Sequence, residues 1–153
     1  MRIAMWFAIA ALLASTMTAP PAALAADARQ LEENKKIALD FYEKAINQKD
    51  FEAAKQHFGS RYVQHNPRAA DGPEGPKAFL EVMKQRAPQS RSEIKRVFAE
   101  GDFVILHVHA VREPGSRGAA IVDIFRLEGG KVVEHWDVIQ EVPETAANPN
   151  GMF

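Results

Sequence analysis

No cysteine occurs in the 153 residues, which excludes a disulfide framework and leaves an oxidising compartment open to the chain. Charge of one sign is also missing: 19 Lys and Arg stand against 20 Asp and Glu, for a formal net charge of -1. No basic stripe invites nucleic acid or an anionic membrane surface. The chain has no internal repeat and no low-complexity linker. Nor does it have an apolar run fit to span a bilayer, which takes roughly 20 residues; Ile3 to Leu13 is too short. That run has another reading. Arg2 precedes it and Ala23-Leu24-Ala25 follows with a small-x-small pattern, so residues 1–25 read as a signal peptide. The expectation is a periplasmic or secreted protein, without membrane association once the signal is removed. Residues 26–153 are enough for one domain with a core and too few for two. Losing Arg2 takes the net charge from -1 to -2. The expected partner is a small, mostly neutral molecule or a second copy of the chain.

The rest of the chain is helical in its first half and β-rich in its second, the order of an α+β domain. Asp27 with Gln30 resembles a capping box, and Leu31, Ala38, Phe41, Tyr42, Ala45 and Ile46 recur at helical spacing, which predicts a helix from about Ala28 to Gln48. Asp50 is a plausible N-cap for a short second helix through Phe51, Ala54 and Phe58, ended by Gly59 in the left-handed region. Gly75-Pro76 opens a third, which would bury Phe79, Leu80 and Met83 and stop near Pro88. From Arg91 the period becomes two. Strands are expected near Ser92 to Ala99, Phe103 to Arg112, Ala119 to Leu127 and Val132 to Val142, separated by glycine-bearing turns. A curved sheet with helices packed on one side would enclose a pocket.

The last hairpin bears on chemistry. The expected turn is Glu128-Gly129-Gly130 as a three-residue loop with Gly130 in the left-handed bulge position, which sets Leu127 opposite Lys131, Asp123 opposite His135 and Ile121 opposite Asp137. Asp123, His135 and Asp137 then share an apolar face with Phe125 and Val133. If the loop is Gly129-Gly130 alone, Asp123 faces Trp136 and the two carboxylates point to opposite sides. On one face, burial and mutual repulsion would let one carboxyl keep its proton while the other ionises, giving an acid and a base from one residue type. The bland alternative pairs Asp123 with Arg126 or Arg117. A separate pattern, Gly101 followed by His107-x-His109 and Glu113, copies the opening of a cupin metal motif. Its later parts have no counterpart, and a cupin is all-β.

FYEKAIN on the first helix, YVQHNP, GPKAF and VDIFRLEGGKVVEHWDVIQ together resemble the SnoaL-like polyketide cyclases, within the superfamily of nuclear transport factor 2 and ketosteroid isomerase. The resemblance covers about Asp27 to Phe153. It implies a cone-like α+β fold with a deep pocket, a homodimer formed through the sheet, and no metal or organic cofactor. It also implies roles. Asp137 falls at the cyclase acid/base aspartate. Asp123 stands where the cyclases carry a histidine and the isomerases a protonated aspartate, and Tyr42 stands where the isomerases have a tyrosine donor. His65 lies in the segment that supplies the isomerase base and could serve as one. His107, His109, His135 and Phe125 are the expected substrate contacts. The function implied is acid/base chemistry next to a carbonyl, as an isomerase or aldol-type cyclase on a small hydrophobic compound. A non-catalytic ligand-binding module is the second class, since fold does not fix function.

Overall fold

The computed structural model describes residues 22–153, with side chains from residue 27; the expected signal peptide at residues 1–25 lies outside the fully described part. Helix α1, Ala22–Tyr42, continues into a π-helical turn, Glu43–Asn47, and is followed by α2, Phe51–Lys55. Strand β1, Phe58–Gln64, comes next, then α3, Gly75–Arg86, and four long strands: β2 Arg91–Glu100, β3 Phe103–Val111, β4 Ala119–Glu128 and β5 Lys131–Glu141. They form one sheet in the order β1-β5-β4-β3-β2. The expected α+β domain with a curved sheet and helices on one face is what the chain builds. Because α1 runs through Asp27, that residue is helical and not the cap expected for it.

Alternation decides the core. Val104, Leu106 and Val108 of β3 and Ile121, Phe125 and Leu127 of β4 are buried on one face, beneath Phe41, Tyr42 and Ala45 of the first helical segment. Phe41 packs edge-on against Phe58 at 5.1 Å and Phe125 at 5.5 Å between ring centres. Such pairs contribute roughly 0.5–1.5 kcal/mol each beyond area burial. The π turn closes with Gln48 N–H donating to Glu43 O. Asn47 fastens it to β2, accepting from Ser92 N–H at 2.8 Å and donating to Ser92 O at 3.1 Å. That fastening fixes Tyr42 and Ile46 above the sheet.

Two expectations are corrected here. Residues 58–64 are a strand, parallel to β5, where a helix end at Gly59 was expected. Gly59 serves close approach: a Cβ there would meet Val133 Cγ1 at 2.7 Å. The second correction concerns the β4-β5 turn. Gly129 and Gly130 have φ of 56° and 74°, as a two-residue type I′ turn requires, and Glu128 pairs with Lys131. The three-residue loop and its pairings are therefore wrong. A bulge rescues the shared face, because Leu127 pairs with Val132 but Arg126 pairs with Glu134, leaving Val133 extra. Asp123 then stands opposite Asp137, and Phe125 opposite His135. Both Val132 and Val133 are buried, which a regular alternating strand would not allow.

Candidate functional site

A cavity of about 140 Å³ lies between the helices and the inner face of the sheet. Tyr42, Asp123, Phe125, His135 and Asp137 line it together with Tyr62, Gln64, Asn66, Ser90 and Ser92. Ile46, Phe79, Leu80, Met83, Ile121 and Ile139 supply apolar wall. Phe79, expected in the core, is 37 % exposed and sits in this wall instead, so its ring faces a space and not close packing.

At the centre, Asp123 is 5 % exposed. Its Oδ1 lies 3.0 Å from His135 Nε2; its buried Oδ2 has no partner in good hydrogen-bond geometry among the described residues, with the Tyr42 hydroxyl close to the carboxyl. Burial raises the Asp123 carboxyl above the usual carboxylate range; the His135 contact opposes this and the charge of Asp137 adds to it. Phe125 stacks on the His135 ring at 4.8 Å. Asp137 Oδ2 accepts from Asn66 Nδ2 at 2.6 Å, and Asn66 Oδ1 in turn accepts from Arg68 N–H at 2.8 Å. The backbone donor leaves the Asn66 amide no freedom to turn over. Tyr42 and Tyr62 are both buried, and desolvation, with the Asp123 charge next in size, pushes both phenols up, so they remain donors. Tyr62 oxygen accepts from Gln64 Nε2 at 3.1 Å, which leaves its own O–H free to donate elsewhere.

The arrangement can remove a proton at one carboxylate, hold one at the other, and offer neutral phenols to an oxygen that gains charge. Among the described residues, Asp123, His135 and Asp137 are also the group able to converge on a metal ion, with ligand atoms within 4.8 Å of one another. Both ring nitrogens of His135 already face partners, Gln64 and Asp123.

Three sequence-expected residues lie elsewhere. His65 alternates away from Gln64 and Asn66, stacks on Trp136 at 4.5 Å with an interplanar angle of 4°, and contacts Glu134 at 2.9 Å. It is on the far side of the sheet from the cavity-lining residues, as a strand's period of two demands. His107 and His109 occupy the outer face of β3, opposite to Leu106 and Val108. His107 Nδ1 accepts from Arg96, His109 Nε2 donates to Arg117 O, and Phe153 of the C-terminal tail packs on both rings. They do not line this cavity, and the α+β fold is not the all-β fold of a cupin. Conversely, Tyr62, Gln64 and Asn66 were not singled out. Their spacing of two is the available signal, but the segment follows the helix end expected at Gly59 and carries no strand expectation of its own.

Residues 38–135, more than half of the chain, match the family model described as SnoaL-like domain. No curated protein matches. Among solved structures, AclR from Streptomyces galilaeus is 24% identical, with a TM-score of 0.60, covering 72% of this chain and 81% of its own. A candidate polyketide cyclase from Bacillus cereus is 20% identical at a TM-score of 0.60, covering 70% of this chain and 74% of its own. A candidate isomerase from Agrobacterium tumefaciens is 20% identical at 0.61, with 71% and 98% covered. At these identities the likeness speaks for the fold.

Proposed function

The chain belongs to the SnoaL-like domain family, and on that premise we propose that it is an acid/base enzyme that moves a proton next to a carbonyl in a small hydrophobic compound. The reaction is an isomerisation or an aldol-type ring closure. The observation that carries the reading is the pairing of Asp123 with Asp137 across β4 and β5, inside an otherwise largely apolar cavity. In this reading Asp137, held by Asn66, takes the proton from carbon. The enolate oxygen that forms is met by Tyr62 and Tyr42, whose protons are retained in a desolvated site. Asp123 and His135 hold the proton that is returned.

Candidate relatives described as a polyketide cyclase and an isomerase support the same chemical class. The test does not need the natural substrate. A panel of cyclic and aromatic ketones is incubated with the protein in deuterium oxide, and label entering next to the carbonyl is measured by mass spectrometry. Protein-dependent labelling that Asp137→Asn abolishes supports the proposal; no labelling across the panel beyond that of buffer counts against it, and a tightly bound but unlabelled ketone would favour a binding module.

Export through residues 1–25 and dimerisation through the sheet belong to the same proposal. The outer face carries exposed Phe98, Phe103, Val122 and Val138, a surface that a second copy would cover. Light scattering on the protein lacking residues 1–25 tests the dimer, and a monomer at micromolar concentration would reject it.

A further inference from the structure

We infer that Gln64 is a positioning residue: its side-chain amide fixes His135 as the Nδ1–H tautomer and so places the site's exchangeable proton between His135 Nε2 and Asp123 Oδ1. The derivation starts from a backbone group that can only donate. Asn66 N–H points at Gln64 Oε1 at 2.9 Å, so the atom at that end of the amide is the oxygen. The other end, Nε2, donates to Tyr62. The same Oε1 lies 3.0 Å from His135 Nδ1. An amide oxygen has no proton to give, so Nδ1 must carry one.

With the proton on Nδ1, Nε2 of a neutral ring presents a lone pair, and it does so 3.0 Å from Asp123 Oδ1. A lone pair and an ionised carboxylate oxygen repel at that separation. One proton must therefore lie between them, written either as a carboxylic acid donating to imidazole or as an imidazolium donating to carboxylate. The proton count is the same in both, and it belongs to the pair. If Gln64 did not hold Nδ1–H, the ring could turn its single proton to Nε2 and donate to ionised Asp123, and the pair would have no proton to deliver. The amide thus decides whether Asp123 and His135 are a proton donor or only a hydrogen bond. Through Nε2 it also leaves the Tyr62 hydroxyl proton free.

The tautomer itself is a statement about the resting protein. Its consequence for turnover rests on the proposed proton-transfer reading. The experiment separates the two. Long-range proton–nitrogen correlation spectra of uniformly labelled protein report which ring nitrogen is protonated, and His135→Gln identifies the signals of His135. The expected result is Nδ1–H in the unaltered protein and in Gln64→Glu, whose carboxylate still accepts from both partners, and Nε2–H in Gln64→Leu. Labelling of a ketone active in the deuterium assay should fall in Gln64→Leu by on the order of 10²–10⁴-fold, the scale of losses when a histidine is held in the wrong tautomer, and recover at least in part in Gln64→Glu. An Nε2–H ring in the unaltered protein overturns the inference, whatever the variants do. So does an unchanged tautomer in a folded Gln64→Leu. Should no ketone be labelled while Nδ1–H is found, the positioning role stands and the proposed reaction fails.

Discussion

Asp123 and Asp137 stand directly across from one another on β4 and β5, one with a buried carboxyl oxygen left without a well-placed partner among the described residues and the other held by Asn66. Two like residues in mirrored backbone positions thus have unlike surroundings, which is the condition for unlike protonation.

Their separation into two roles predicts different outcomes for the two amide substitutions. Asp137→Asn removes the proton acceptor, and deuterium entry into a substrate ketone should fall by about 10²–10⁴-fold, the usual contribution of a positioned acid or base. The fold should survive, because Asn can still accept from Asn66. Labelling at the original rate in a folded Asp137→Asn would remove Asp137 from the reaction.

Asp123→Asn speaks to stability as a function of pH. The native protein holds the Asp123 proton more tightly than the unfolded chain, where the carboxyl titrates near ~3.9. Its contribution is therefore fully present below that pH and is lost as pH rises towards the native value. Asn copies the protonated form and does not titrate, so the melting temperature of the variant should gain on that of the original protein across that window. A pH-independent difference between the two melting curves would contradict a raised Asp123.

Close approach of β1 to β5 gives a prediction about packing. Gly59→Ala drives a methyl group into Val133 Cγ1, at 2.7 Å before relaxation, and should cost about 1–3 kcal/mol in denaturant unfolding. Adding Val133→Ala takes away the atom struck. If the pair is no more tolerant of Gly59→Ala than the single-site background, the contact is not the reason for glycine.

On the outer face, His107→Gln and His109→Gln should leave ketone labelling unchanged and shift stability by no more than about 0.5 kcal/mol each. His65→Gln should likewise leave labelling unchanged, although it loses its stack on Trp136. A loss of labelling in any of the three, measured with intact circular dichroism, would bring that residue back into the site.

Much of the fold could be read from local pattern. The change of period at Arg91, the glycines between strands and the Gly75-Pro76 helix start are each set by neighbouring residues, and the structure places those elements within a few residues of expectation. His135 and Asp137 could be grouped because alternation along one strand is a local property of the chain; Asp123 joins them through a three-residue loop that does not form, and Tyr42 through the family resemblance. The pairing of Asp123 with Asp137 could not be read locally. Val133 becomes a bulge because burying both Val132 and Val133 outweighs one regular rung of the ladder, and the packing that rewards this comes from β1 and the helices. For the same reason β1 was invisible: FGSRYVQ has little apolar alternation and becomes a strand by pairing in parallel with residues more than seventy positions away. The sequence by itself determined that His135 and Asp137 share one side of their strand; only the tertiary structure decided, through the bulge at Val133, that Asp123 faces Asp137, and that Tyr62, Gln64 and Asn66 complete their surroundings, because those contacts join segments with no local influence on one another.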